Sequence, residues 1–176
     1  GKEAMPPHNM PMTMIGASLL WAGWFGFNVG SELAADGVAG AVMINTQVAT
    51  AAAVLGWLLI ESLQKGKASM LGGASGAIAG LVAITPACAV VGPMGAIILG
   101  FVASLVAYWA CTSLKKVIGY DDSLDVFGIH GVAGIIGAIG LAILMSPTFG
   151  GVGFDEGASM ASQFVIQAKS VGITIV

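Results

Sequence analysis

Long apolar stretches alternate with short polar breaks along the whole chain, and the length of the stretches decides what they can be. Windows of about 20 mostly apolar residues, enough for a helix to cross roughly 30 Å of hydrocarbon, fall near 11–31, 38–62, 70–88, 95–114, 122–145 and 157–176. Between them stand ELAADG, QKGKAS, VVGP, KKVIGYDDS and SPTFGGVGFDEG, whose Gly, Pro and charged residues read as short loops. The pattern predicts an all-α polytopic membrane protein with six spans of alternating direction. The last window reaches Val176 without a polar flank, and Gly1 opens the chain with neither Met nor a charged leader. The expectation is therefore a fragment.

Composition strengthens the membrane reading. Hydrophobic residues make up 57 % and charged residues 9 %, against about 25 % charged in ordinary globular domains, and the mean hydropathy is +0.94. So few charges cannot cover a water-facing surface. All six basic residues are Lys, and the net charge is −3, so no basic stripe exists for nucleic acid. Lys2, Lys65, Lys67, Lys115 and Lys116 fall on one side of the alternating pattern, whereas Glu32, Asp36, Asp155 and Glu156 mark the other. By the positive-inside rule the Lys side is cytoplasmic, and the first span runs outward, as in a plasma or inner membrane protein. Lys169 lies within the last window, where it either snorkels to the inner face or lines a protein interior.

The same topology separates Cys88, at the outer end of the third span, from Cys111, near the inner end of the fourth. A disulfide between them is excluded by distance, and both read as small packing residues. Gly72, Gly76 and Gly80 form two GxxxG steps, and glycines recur every third residue from Gly128 to Gly140. Such rows let helix backbones approach closely in lipid.

Against this background His130 stands out. It lies eight residues beyond Asp122, about 12 Å along a continuous helix. In a soluble helix the plain reading is a core histidine bonded to a carbonyl. In a span, an ionisable ring is costly and marks a functional site. His8, set among Pro6, Pro7 and Pro11, reads as part of a rigid entry to the first span rather than as a reactive group. Trp21, Trp24, Phe25 and Phe27 lead into Asn28 and Ser31, a grouping that suits a small cation held by aromatic faces and a hydroxyl. It equally suits an interfacial aromatic belt, and the residues alone leave both open. Asn45, Thr46, Gln47 and Thr50 read as hydrogen-bonding groups between helices. No nucleophile with a base, metal-ligand cluster, GxxxxGK[ST] or HExxH occurs, so the chain reads as a non-enzyme that calls for no cofactor and no metal.

The strings GWFGFNVGS, NTQVATAAAVLGW, GASGAIAGLVAITPACAVV and DDSLDVFGIHGVAGIIG, in this order and spacing, resemble the ammonium transporter superfamily, in its Amt branch. The resemblance covers essentially the whole chain. It implies an eleven-helix protomer of a homotrimer, built from two inverted five-helix halves around a narrow hydrophobic pore; these six segments look like the second half and most of the last helix. It further implies that His130 is the second of a twin-histidine pair in the pore, its partner lying outside this chain. Ser31 then matches the hydroxyl of an outer ammonium-recruitment site, and Phe27 matches one of two stacked gate aromatics. Trp24 and Asn28 match motif positions by the pore wall, counted with the substrate-binding group, while Leu20, Ile78 and Thr85 match positions that line or flank the lumen. Thr85 equally suits a helix-capping role before Pro86. Asp122 and Asp125, beside Asp121, match an acidic cluster at the cytoplasmic end of the His130 helix, where support of the helix terminus and a role in the inner vestibule both remain open. The implied partners are ammonium or ammonia, the lipid bilayer, two further copies of the protomer, and a PII-type signal protein at the cytoplasmic face.

The energetics of such a pore follow from charge. Moving an ion into a dry medium costs tens of kcal/mol by Born estimates, whereas ammonia is neutral. A wet mouth would bind the cation, and the proton must leave before the apolar lumen is crossed, with imidazole able to accept and relay it. Two other readings stand beside transport: an ammonium-sensing domain coupled to a signalling partner, and a purely structural scaffold in which His130 and Ser31 are replaceable.

Overall fold

A computed structural model gives the architecture for residues 5–176; Lys2, one of the lysines used for sidedness, lies outside the described residues. Among those residues there is no strand, and six long helices carry the fold. They are α1 (Met10–Asn28), α2 (Gly37–Lys65), α3 (Met70–Ile84), α4 (Pro93–Ile118), α5 (Phe127–Leu144) and α6 (Met160–Ile175). By length and composition α2, α4 and α5 can each cross a membrane.

Local chemistry sets the boundaries. Asn9 caps α1 by accepting from Met12 N at 3.0 Å, so the Pro-rich entry ends in a helix start. Asp36 and Ser69 cap α2 and α3 in the same way. Gly66 and Gly119 end α2 and α4 in the left-handed conformation, with φ of 77° and 76°, which suits glycine. The helix expected from 122 begins only after Asp125. Asp125 itself is left-handed (φ 55°), and the Asp122 carboxylate accepts from Val126 N and Phe127 N at 2.9 and 2.8 Å. His130 is thus three residues from the start of α5, about 5 Å along it, rather than the 12 Å expected from a helix beginning at Asp122.

The helix α3 is central, packing against α1, α2, α4 and α5. Its glycines explain how. A side chain at Gly80 would meet Ala53 Cβ at 2.6 Å and the Thr50 backbone at 2.9 Å, and one at Gly76 would meet Trp57 Cβ at 2.8 Å. The two GxxxG steps therefore set the α2–α3 approach, as lipid-embedded helices require. On the other side, Gly137 of α5 lies against the Ala83 carbonyl. Two apolar clusters fill the interior, one around Trp57, Leu81, Tyr108 and Ile129, the other around Val42, Ile84, Leu99 and Leu141. Cys88 and Cys111 are both free thiols.

Two helices depart from the α-form where they meet. Ala110–Leu114 of α4 and Phe127–Val132 of α5 are π-helical and pack on one another, with Gly128 against Cys111. Short π segments of this kind are frequent at functional sites. By contrast, α6 packs on α5 without burying any residue.

Candidate functional site

One face of α1 organises the site. Gly16, Leu20, Trp24 and Phe27 recur at helical spacing and line an apolar depression of about 570 Å3 with Leu19 and Gly23. Gly16 and Leu20 also line a second cavity of about 540 Å3, so the two form one continuous surface along the helix. A side chain placed at Gly16 or Gly23 would meet nothing within 4 Å, which leaves room in front of Leu20 and Trp24. Phe27 is 60 % exposed, and its ring stands edge-on to Trp24 with centroids 5.7 Å apart.

The second cavity, at the Lys-bearing end, collects the ionisable chemistry. His130 opens onto it from the π-helical start of α5, Ile78 from α3, Leu20 from α1 and Asp125 from the loop before α5. Four residues singled out in the sequence are thereby brought together. The N-terminal segment supplies a fifth group, His8, which the sequence assigned to structure.

Asp122 and Asp125 divide their tasks. Both carboxylate oxygens of Asp122 are engaged by the first amides of α5. Asp125 pairs with Lys115 Nζ at 2.8 Å, and the same ammonium donates to the Asp122 carbonyl. Lys115 is buried, and this pair locks the end of α4 to the entry of α5. Nearby, Tyr120 packs edge-on to Phe127 at 5.4 Å. Burial and then the Asp122 carboxylate push its phenol up from the ordinary value, so it stays protonated at neutral pH.

At the opposite end the polar groups satisfy one another. Trp24 Nε1 donates to Thr85 Oγ1 at 2.8 Å, and Thr85 donates to the Leu81 carbonyl at 2.7 Å with Asn28 Oδ1 at 3.3 Å. Asn28 Nδ2 donates to Thr46 Oγ1 at 3.1 Å. Asn28 is 4 % exposed, so its amide ties α1 to α2 and α3 and does not face an open mouth. Thr85 likewise sits in this network behind Trp24, outside both cavities. Ser31 is exposed in the short turn Gly30–Glu32 and donates to the Phe27 carbonyl at 2.6 Å. With its proton turned to that carbonyl, the hydroxyl oxygen keeps its lone pairs free to accept.

Three supporting residues escaped the sequence reading. Lys115 counted only as a mark of sidedness, although its ten-residue spacing from Asp125 across the Gly119 turn was a usable signal. Glu61, 5 % exposed, accepts from Ser69 N at 3.0 Å and Lys65 Nζ at 3.2 Å; a lone acid inside an apolar window was its signal. His8 gave none, because its neighbours in the cavity come from distant parts of the chain. Asn45 behaves as expected of an interhelical group, donating to the Cys88 and Val91 carbonyls at 2.9 and 2.7 Å and pinning the α3–α4 connection.

Comparison with known proteins places this geometry. The model of the Ammonium Transporter Family matches residues 1–176. The ammonium transporter of Bacillus subtilis (strain 168) is 49 % identical over 152 residues, covering 86 % of this chain and 38 % of that protein. That of Aquifex aeolicus (strain VF5) is 47 % identical over 170 residues, covering 96 % and 40 %. Among solved structures, a Sensor Amt Protein aligns with a TM-score of 0.86 at 32 % identity, over 94 % of this chain and 40 % of the other. Mep2 of Saccharomyces cerevisiae aligns with a TM-score of 0.82 at 31 % identity, over 95 % and 41 %. The chain spans about two fifths of the length of these relatives.

Proposed function

The chain belongs to the ammonium transporter family, and from that premise we propose that it forms one wall of a transmembrane conduit for ammonium and ammonia in the full-length protein. The observation that carries the reading is the continuous surface along α1, which runs from Phe27 through Leu20 to a cavity holding His130. Ser31 and the Phe27 and Trp24 rings receive the cation at one end, by lone pairs and π-faces. Leu20 and Ile78 line the dry stretch, where the charged form costs tens of kcal/mol and the neutral form passes. His130 accepts and returns the proton, with Asp125 at the wet mouth beyond it. Asn28 and Thr85 hold Trp24 in place rather than touching the substrate, and Asp122 holds the entry of α5.

In this reading the six helices are spans, the Lys-bearing loops face the cytoplasm across a plasma membrane, and the protomer assembles as a homotrimer open to a PII-type partner on that face. The test is flux into liposomes by the purified full-length protein. Replacing His130 by Ala should lower ammonium transport at least about tenfold, equivalent to 1.4 kcal/mol in the barrier, or admit potassium, while thermal melting stays close to that of the parent. Unchanged transport with potassium still rejected would make His130 a packing residue.

A second reading, ammonium sensing coupled to a signalling partner, is favoured by one observation, the fold likeness to a protein described as a Sensor Amt Protein. Absence of ammonium flux in the parent, with ammonium binding retained, would select it.

A further inference from the structure

We infer that His8 is a second proton-exchange group of the same conduit, serving its Lys-bearing mouth. The inference rests on the transport reading above and extends it to a residue outside the apolar helices. His8 is exposed and lines the cavity that also holds His130. The two imidazoles reach that space from opposite ends of the chain, one from the segment before α1 and the other from the π-helical start of α5. Asn9 fixes the position of His8, since its side-chain oxygen caps α1 at Met12 N and its carbonyl accepts from both the Thr13 amide and the Thr13 hydroxyl. Pro6 and Pro7, which also line the cavity, restrict the backbone on the other side.

The other groups facing the cavity make His8 the natural place for exchange with solvent. Among the described residues, α1 contributes Thr13 and Leu20, and α3 contributes Ser75 and Ile78, none of which titrates near neutrality. The loop before α5 contributes Ser123, Leu124 and Asp125, and Asp125 is already paired with Lys115. That leaves His8 and His130 as the two imidazoles lining this cavity, and imidazole is the side chain whose ordinary range spans neutrality. They differ in setting: His8 is in the exposed segment before α1, beside Pro6 and Pro7 in the chain, whereas His130 is in the π-helical start of α5.

The step balances without any co-reactant. Ammonia leaving the dry stretch takes the N–H proton of the His8 imidazolium into its lone pair, giving ammonium and neutral imidazole. Hydronium at the mouth returns a proton to the ring and becomes water, or water does so and leaves hydroxide in the solvent. In the reverse direction neutral His8 accepts a proton from ammonium, and ammonia enters. A neutral substrate is thereby recharged at the edge of water, so it does not return.

The experiment uses the full-length transporter on a solid-supported membrane, with ammonium as the probe and the pH of each face varied between about 3.5 and 8, a range that spans the ordinary values of both imidazole and carboxyl side chains. Replacing His8 by Gln should lower the ammonium-driven current severalfold and flatten its dependence on pH at the Lys-bearing face, with potassium still excluded. Replacing it by Glu should keep a pH dependence but move it down by about two pH units, the separation of the two side-chain types; a merely structural residue would not transfer its pH profile to a carboxylate. Currents and profiles equal to the parent's in both variants overturn the proposal. Loss of both variants to misassembly also overturns it, assigning His8 to folding. A parent that carries no ammonium current sinks the transport reading itself, which distinguishes that failure from this one.

Discussion

The two ends of α1 are built in opposite ways. At the Ser31 end, Trp24, Asn28, Thr46 and Thr85 close a hydrogen-bonded network in which Asn28 is almost fully buried. At the Lys-bearing end, His8 and His130 stand exposed around an open cavity, and the ion pair of its lining, Lys115 with Asp125, involves neither imidazole. The closed network holds the angle of α1 against α2 and α3 and so keeps Phe27, Trp24 and Leu20 in one line. The two imidazoles proposed to exchange protons are exposed. The bonded support thus lies at one end of α1 and the exposed imidazoles lie near the other.

Removing Asn28 should break the comparison most severely. Replacing it by Ala removes a partner of the fully buried Thr46 and of the half-buried Thr85, and unmade buried hydrogen bonds cost about 1–3 kcal/mol each. We expect a loss of about 2–3 kcal/mol, read as a clear fall in the melting temperature of the detergent-solubilised protein. A loss under about 0.5 kcal/mol, the ordinary surface value, would mean that the closed end is no tighter than the open one.

Replacing Lys115 by Met tests the one fixed element of the open end. The Lys115 side chain is 11 % exposed and that of Asp125 is 35 % exposed. Breaking the pair should therefore cost less than the 3–5 kcal/mol of a fully buried pair and more than an exposed one. About 1–2 kcal/mol is expected, and a double-mutant cycle with Asp125 replaced by Asn should recover most of it as coupling. Additive effects in that cycle would detach Lys115 from the entry of α5.

The cap at the start of α1 has a smaller expected effect. Asn9 replaced by Ala should lose about 1 kcal/mol, the usual value of an N-cap, and loosen the segment that carries His8. Hydrogen exchange at Met12 and Thr13 should rise while the network at Asn28 stays protected. Equal changes at both ends would show that α1 responds as one rigid rod.

What was legible in the sequence follows from what each feature depends on. The helices lay in the apolar windows because lipid-facing and core-facing residues are both apolar, and the GxxxG steps of α3 predicted close backbone approach, which Gly76 and Gly80 provide. The start of α5 was misread because Asp122 suits the first turn of a helix as well as the cap before it. Only the left-handed backbone at Asp125 separates the two, and a non-glycine residue does not announce that conformation. Asn28 matched a position near the pore wall and Thr85 one that lines or flanks the lumen; the bonds of their side chains to each other and to Trp24 join residues far apart in the chain, which no motif spells out. The company kept by His8 was illegible for a simpler reason, since its neighbours come from α1, α3 and the start of α5.

The smallest effect on stability, and the sharpest test of the Ser31 end, comes from Ser31 itself. Its hydroxyl is exposed and makes one hydrogen bond, to the Phe27 carbonyl of the preceding turn. Replacement by Ala should change stability by no more than about 0.5 kcal/mol, as surface substitutions usually do. If the lone pairs of that hydroxyl receive the cation, the apparent affinity for ammonium should fall about tenfold, the low end of what a hydrogen bond to a charged group contributes. Replacement by Thr restores the hydroxyl and should restore affinity, while the maximal rate should change little in either variant. Affinity that is unchanged in the Ala variant would strip Ser31 of the recruiting role and leave the cation to the aromatic faces of Phe27 and Trp24. The contrast between a fixed end and an exchanging end would then need a different account of how the cation is first held.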